Sequence, residues 1–143
     1  MKTHMITTLV LMSSLSCASS VRAAPEDEAL SEVVRAFSKA GDQQDAPAMQ
    51  NILHPEFRTL FTSGRAGNAS LLAREQYLSM LRAKKLGGDT RTVNVSEVER
   101  PSHNVAYVKS ALVGKKGTLH SLMILVRHKD RWTVYQDSVR LDK

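Results

Sequence analysis

The chain has a single cysteine, Cys17, which stands in the N-terminal stretch that we interpret below as a secretion signal. Once that stretch is removed no thiol remains, which excludes a disulfide framework, a thiolate nucleophile and a cysteine-ligated metal site. Four histidines follow the signal: His54, His103, His120 and His128. No two of them stand four residues apart, as a helical metal site requires. The sequence therefore predicts neither a metal nor a cofactor.

Aromatic residues make up only 5% of the chain, and none is interleaved with its lysine pairs. We therefore interpret Lys84-Lys85 and Lys115-Lys116 as solvated charge, at a helix end and in a turn, and not as a surface that stacks nucleic-acid bases. Loss of Lys2 and Arg22 with the signal takes two charges from the formal +6 and leaves +4, which implies no nucleic-acid partner. No nucleophile elbow of the G-x-S-x-G type occurs, so we assign no catalytic triad.

The chain also lacks a long hydrophobic run. The apolar stretch Met5–Met12 is too short to span a bilayer, and serines dilute it directly afterwards. Lys2 precedes it and small residues follow as far as Ala23, which is the order typical of a secretory signal peptide. We predict cleavage near Ala23.

Cleavage there divides the chain into a signal at residues 1–23 and one domain at residues 24–143, located in the periplasm or secreted, with no membrane insertion. The alternative is a lipoprotein in which Cys17 is the acylated first residue. It fits less well because Ser14 stands where such signals usually carry leucine.

Helical patterns fill most of the N-terminal half. Apolar residues recur at spacings of three and four within residues 26–40, which predicts an amphipathic helix. A shorter helix over residues 46–53 should end at His54, because a residue before proline avoids helical backbone angles. A third helix should begin at Ser70 or just after it and end at Lys85. Between the last two helices we predict a strand over residues 57–62 and a glycine-containing loop, Ser63–Gly67, that could act as a lid.

The C-terminal half is predicted to be a meander of four antiparallel strands. The strands are placed at residues 92–96, 105–113, 119–126 and 132–139, separated by short turns. The second strand carries apolar side chains on both faces, Val105, Tyr107 and Val113 on one and Val108 and Leu112 on the other. Helices can cover one face, and the other needs a second copy of the chain or a sheet that curls around its contents. We predict a homodimer through the sheet.

Several local features of this order carry a family resemblance. They are Phe37–Asp42 at the first helix end, Ile52–Phe57 entering the first strand, Arg74–Leu78 on the third helix and Trp132–Val134 in the last strand. The chain from about Glu26 onward resembles the nuclear transport factor 2-like superfamily, and is most similar to bacterial proteins described as "putative lumazine-binding" or polyketide-cyclase-like. The resemblance implies an α+β fold in which three N-terminal helices pack on a curved antiparallel sheet to form a cone with an apolar pocket.

The resemblance leaves the activity open, because such folds include isomerases, dehydratases, cyclases and binding proteins. Our first hypothesis is an exported protein that holds an apolar or aromatic small molecule in the cone. The alternative is an enzyme of the isomerase, dehydratase or cyclase type that uses general acid-base catalysis in the same pocket. A third reading is an interaction module whose cone is filled by its own side chains.

The predicted cone and its pocket indicate which side chains could contact a ligand or take part in catalysis. If Val134 points into the cone, alternation places Gln136 inside and Asp137 outside, unless a bulge reverses the two. Tyr77 and Tyr107 could present hydroxyls to a ligand or lie in the core, and His54 could act as an acid or base or simply cap a helix end. The predicted ligand-binding residues are Phe57, Phe61, Tyr77, Leu81, Tyr107, His120 and Gln136, and the weak catalytic candidates are His54, Tyr77 and Asp137.

Overall fold

Three helices and six strands make up the part of the chain that the computed structural model describes, residues 24–63 and 68–142. In chain order they are α1 (Pro25–Asp42), α2 (Ala46–Ile52), β1 (Leu53–Ser63), β2 (Asn68–Ala73), α3 (Arg74–Arg82), β3 (Thr92–Ser102), β4 (Val105–Gly114), β5 (Gly117–His128) and β6 (Arg131–Asp142). The predicted signal, and most of the loop predicted as a lid, lie outside the described residues. None of the described helices is long and apolar enough to cross a membrane.

All six strands form one sheet in the order β2-β1-β6-β5-β4-β3. Strands β3 to β6 are the predicted antiparallel meander, each of them longer than the sequence pattern suggested. Strand β1 joins the meander in parallel beside β6 and pairs on its other edge with β2. The helices pack against one face of this sheet, which we call the inner face, and the opposite face is the outer face. The predicted α+β class is confirmed.

The start of the third helix was predicted wrongly. Residues 68–73 form strand β2, whose Ser70 lies opposite Phe61 of β1, and the helix begins only at Arg74. Leu71, Leu72 and Ala73 favour helices by intrinsic propensity, but the β1 edge offers their backbone a ladder of hydrogen bonds. Pairing across the sheet outweighs the local preference here.

Helix α1 forms because its apolar residues repeat with the helical period. Pro25 occupies the first turn and three acidic residues follow it. Their negative charges stabilise the helix by interacting with the positive end of its dipole. The buried stripe includes Leu30, Val34 and Phe37, which are almost fully inaccessible to solvent. It packs on Val108 and other side chains of the inner face, so burial of apolar area holds the helix against the sheet.

The connection between α3 and β3 is fastened to the end of α1. Gly88 N donates a hydrogen bond to Gly41 O at 3.2 Å, and Gln44 Nε2 donates one to Leu86 O at 2.9 Å. Gly87 adopts a φ of +74°, and a Cβ at this position would stand 1.9 Å from Gly41 O. Only glycine fits such a left-handed and crowded position. The connection is therefore held against the C-terminal end of α1.

Strand β6 contains a β-bulge at Tyr135. Val134 lies opposite Leu125 of β5, whereas Gln136 lies opposite Ile124, so Tyr135 has no partner of its own on β5. An extra residue reverses the alternation of side chains from that point onward. Val134 and Asp137 consequently both face inward, although they are three residues apart.

Candidate functional site

A cavity of about 540 Å³ lies between the helices and the inner face. Phe37 of α1 and Tyr77 and Met80 of α3 form its helical wall, and Leu112, Leu119, Val139 and Leu141 belong to its sheet wall. Thr59, Phe61, Ser70 and Leu72 close the side formed by β1 and β2. The wall is mostly apolar, with a small number of polar groups among the hydrocarbon surfaces. This composition is typical of pockets for small organic molecules.

Asp137 is the most unusual polar group in this wall. Its side chain is 3% exposed, and its Oδ1 accepts a hydrogen bond from Ser121 Oγ at 2.5 Å. Burial disfavours the charged carboxylate and raises the pKa of Asp137 from 3.8 to about 7, while the hydrogen bond from Ser121 and the charge of Arg91 act in the opposite direction. A carboxyl group with a pKa near neutrality can accept or donate a proton at physiological pH.

Tyr77 stands on α3 and lines the same cavity. Its ring packs edge-on against Phe57, with centroids 5.4 Å apart, and stacks on Phe37 at 6.1 Å. Burial raises the pKa of the Tyr77 hydroxyl, and the nearby charge of Asp137 raises it further. The phenol therefore stays protonated and can donate a hydrogen bond to a ligand.

Arg91 supplies positive charge to the cavity wall. Its Nε donates to Asp42 Oδ1 at 2.5 Å, and its backbone N–H donates to Asp42 Oδ2 at 2.9 Å. Both side chains are largely buried in this ion pair, which fixes the guanidinium in place. Arg91 lowers the pKa of Asp137 and that of Tyr77, so its charge reaches both groups.

The outward placement predicted for Asp137 is wrong, and so is the inward placement of Gln136. The bulge at Tyr135 exchanges the two, and Gln136 instead donates from Nε2 to Ser138 Oγ at 3.3 Å on the outer face. Tyr107 and His120 also lie on the outer face, away from the cavity. His120 Nε2 stands 3.1 Å from Asp142 Oδ2 there. Three of the seven predicted ligand-binding residues are therefore on the wrong side of the sheet.

The other predicted residues divide between the cavity and the core. Phe61 and Tyr77 line the cavity. Phe57 and Leu81 are completely buried in the hydrophobic core, where they support the wall without forming its surface. His54 lies away from the cavity, with its ring 4.9 Å from that of His128 and 5.2 Å from that of Tyr135. Desolvation lowers the pKa of His54, and its Nδ1 accepts a hydrogen bond from Glu56 N.

Sequence reasoning missed several groups of the cavity. Thr59 stands between Phe57 and Phe61 on β1, so simple alternation along that strand could have placed it inside. Ser121 and Arg91 left no comparable signal, because their roles depend on contacts with Asp137 and Asp42 that are distant in sequence. The described residues hold no cluster of three or more His, Cys, Asp or Glu side chains suited to a metal ion.

The arrangement offers three chemical capabilities. The apolar wall can desolvate a small organic molecule, Tyr77 can donate a hydrogen bond, and Asp137 can exchange a proton. The outer face differs, because its groove of about 420 Å³ is shallower and lies between exposed side chains such as His120, Leu122 and Arg140. The inner cavity is therefore the candidate functional site.

Comparisons with known proteins agree with this architecture. The model of a family described as "Putative lumazine-binding" matches residues 25–138. No curated protein matches the chain. Among solved structures, an NTF-2-like protein of unknown function from Silicibacter pomeroyi superposes with a TM-score of 0.68 at 15% identity, covering 82% of this chain and 96% of the other.

Two further solved structures show the same fold. An NTF2-like protein of unknown function from Shewanella baltica gives a TM-score of 0.70 at 10% identity and covers 82% of this chain and 94% of its own. A ketosteroid isomerase-like protein from Erwinia carotovora atroseptica gives 0.65 at 14% identity, with coverages of 83% and 98%. At these identities the likeness concerns the fold.

Proposed function

The chain belongs to the family described as putative lumazine-binding and has an NTF2-like fold, and on that premise we propose that it binds a small apolar or aromatic molecule in its inner cavity. The observation that carries the proposal is the cavity itself, about 540 Å³ of space under a mostly apolar wall. Pockets for small molecules commonly have volumes of roughly 300–1,000 Å³. Tyr77, Thr59 and Asp137 are among the polar groups of the wall that would orient the ligand.

The proposal can be tested with the neutral fluorescent probe N-phenyl-1-naphthylamine, which brightens when it leaves water for an apolar site. Leu119→Trp places a large side chain in the cavity wall, and Leu122→Trp places the same side chain on the outer face of the same strand. We expect wild type and L122W to bind the probe, and L119W to lose at least about tenfold in affinity, since the indole fills much of the space. Equal binding by the two variants, with thermal unfolding showing that both are folded, would contradict the proposal.

A specific observation favours a second function, an enzyme that moves a proton in the same cavity. The buried carboxyl of Asp137, whose pKa is raised to about 7, shares the cavity with the Tyr77 phenol. A base near neutral pKa beside a hydrogen-bond donor suits proton abstraction next to a carbonyl. The protein of the same fold from Erwinia carotovora atroseptica is described as ketosteroid isomerase-like.

Native mass spectrometry of the purified protein would identify a co-purifying molecule, and incubation of that molecule with the protein in D₂O would test proton transfer. The enzyme predicts deuterium incorporation that Asp137→Asn abolishes while the molecule still binds. Asn keeps the shape of the side chain but cannot accept the proton. Binding without any exchange in the wild type would leave the binding function and reject the enzyme.

Assembly through the outer face is a further part of the proposal. The outer face of β4 and β5 exposes three apolar side chains, Tyr107, Val113 and Leu122, at 37%, 44% and 39%. We propose that a second copy of the chain covers it in a homodimer. Sedimentation should give a dimer for the wild type and a monomer for Leu122→Glu, and a wild-type monomer at micromolar concentration would contradict the dimer.

Export is proposed on the sequence alone. The pattern around Met5–Met12 and Ala23 predicts that the protein reaches the periplasm or the medium after cleavage. Intact mass measurement of the protein from its native source should give a chain that begins at or next to Ala24. A full-length chain, or a diacylated chain that begins at Cys17, would reject this cleavage.

A further inference from the structure

The two lysine pairs of the sequence meet at the cavity. Lys85 follows α3 and Lys116 lies in the turn between β4 and β5, yet both line the cavity. Their neighbours Lys84 and Lys115 do not belong to its lining. All four lysines are exposed, but only one of each pair lines the cavity, a distinction that the sequence could not make.

Both cavity lysines stand on backbone that is held in place. Lys85 N donates to Met80 O at 2.9 Å in the turn that closes α3. Lys116 N donates to Asp89 Oδ2 at 3.2 Å, which ties the β4–β5 turn to the connection that precedes β3. A Cβ at Gly114 would stand 2.2 Å from the same oxygen, so a larger residue there would displace the Asp89 carboxylate. These contacts hold the part of the cavity wall formed by Lys85, Asp89 and Lys116, which we call the rim.

The charges around this rim are only partly compensated. Within the described residues, neither Lys85 nor Lys116 takes part in an ion pair, whereas the charge of Arg91 is matched by Asp42. Asp89 lines the cavity too, and hydrogen bonds from the backbone of Lys116 and Thr90 lower its pKa, so it contributes one negative charge. Two ammonium groups against one carboxylate leave the rim with a net positive charge. Deeper in the cavity, Asp137 would repel an anion whenever it is ionised.

From this arrangement we infer that the ligand is an amphipathic anion, with an apolar or aromatic body and one carboxylate or similar oxyanion. The inference rests on the proposed binding function and specifies its ligand class. The body occupies the apolar interior beside Tyr77, and the anionic group remains at the rim between Lys85 and Lys116. Because the ammonium groups stay in contact with water, the anion keeps part of its hydration and the desolvation cost is small.

Two fluorescent probes that share the same aromatic ring system test the inference. 8-Anilinonaphthalene-1-sulfonate carries a sulfonate on the anilinonaphthalene frame, and N-phenyl-1-naphthylamine is the same frame without it. The test variant is Lys85→Gln with Lys116→Gln, and the matched control is Lys84→Gln with Lys115→Gln, which removes the same formal charge from the same two segments. Thermal unfolding verifies that both variants remain folded.

We expect the test variant to bind the sulfonate probe about five- to tenfold more weakly than the wild type and the neutral probe within about twofold. The control variant should bind both probes like the wild type. An equal loss of affinity for the sulfonate probe in both variants would show that only the overall charge matters, and would overturn the inference. An unchanged affinity for the sulfonate probe in the test variant would also overturn it. In both cases continued binding of the neutral probe leaves the binding function standing. If the wild type binds neither probe, the binding function fails and the inference fails with it.

Discussion

Both faces of the sheet carry acidic side chains, but those on the inner face are buried and those on the outer face are exposed to water. On the inner face Asp137 is buried beside Ser121, and its pKa is raised to about 7. On the outer face Glu97 pairs with Lys109 at 2.6 Å, with both side chains about half exposed to water. The same chemical group is thus a buried carboxyl with a raised pKa on one face and an exposed, paired carboxylate on the other. Orientation across the sheet, more than residue type, determines what each group can do.

The bulge at Tyr135 decides which residues belong to which face. Without the extra residue, Asp137 would join the outer face and Gln136 would point into the cavity. The bulge leaves Tyr135 itself beside His54, at the end of the sheet where β1 also shifts its register against β6. Because of this one extra residue, Asp137 faces the cavity. Among the described residues it is the only buried carboxyl group in the cavity wall.

The largest expected effect concerns the pH dependence of stability. Because the pKa of Asp137 is raised from 3.8 to about 7 on folding, the folded state retains a proton that the unfolded chain loses above about pH 4. This stability is fully present below pH 4 and is lost as the pH rises through about 7, by up to about 4 kcal/mol. We expect Asp137→Asn to remove most of that loss in urea unfolding between pH 4 and pH 8.

Glu99→Gln on the exposed outer face serves as the matched control. Its profile of unfolding free energy against pH should run parallel to that of the wild type. A D137N profile that also runs parallel to the wild type would mean that Asp137 is not in the dry environment described.

The next largest effect compares two leucines of β5. Leu125 is fully buried on the inner face, and Leu122 is 39% exposed on the outer face. Leu125→Ala should lower the free energy of unfolding by about 3 kcal/mol, because it removes buried methyl groups and leaves a cavity. Leu122→Ala should cost less than about 1 kcal/mol when measured at low protein concentration, where any dimer contributes least. Similar losses at both positions would contradict the assignment of the two faces.

A smaller effect is expected from the hydrogen bond that opposes the rise in the pKa of Asp137. Ser121 Oγ donates to the carboxylate and lowers its pKa. Ser121→Ala should therefore raise the pKa of Asp137 further, by about one unit, which corresponds to about 1.4 kcal/mol. The upper inflection of the stability profile against pH should move upward accordingly. Ser138→Ala, on the outer face of β6, should leave that inflection in place, and movement in both variants would speak against a specific role for Ser121.

The smallest effect is expected on the outer face itself. Lys109→Gln breaks the exposed pair with Glu97 and should leave the free energy of unfolding unchanged within the error of urea unfolding, since water screens both charges. High salt should change the wild type and the variant equally. A clear loss of stability in the variant would indicate that this side of the sheet is drier than its exposure suggests.

Local patterns predicted most of the fold. The spacing of apolar residues located α1, and the alternation and turns of the C-terminal half located β3 to β6, because these signals act within a few residues. Strand β2 was missed because its pairing with β1 overrides the helix preference of Leu71 and Leu72. Non-local hydrogen bonds leave no mark in such a pattern.

The candidate site was much harder to predict than the fold. Tyr77 and Phe61 were found from their periodic positions, but the bulge at Tyr135 carries no glycine or proline that would reveal it. Every residue assigned beyond it was consequently placed on the wrong face. Lys85 and Lys116 are exposed, as solvated charge should be, but the sequence could not show that they line one cavity, because that depends on the contacts of Asp89 and Gly87.

The inward orientation of Asp137 and the occupation of the cavity are tested most directly by ¹³C NMR. The Asp137 carboxyl carbon is titrated with the cavity empty and with N-phenyl-1-naphthylamine bound. The free protein should titrate at this carbon near pH 7, and the neutral probe should move the midpoint upward, because it displaces water from the charged form. A midpoint near pH 4 that the probe leaves unchanged would contradict both the inward orientation of Asp137 and the occupation of the cavity.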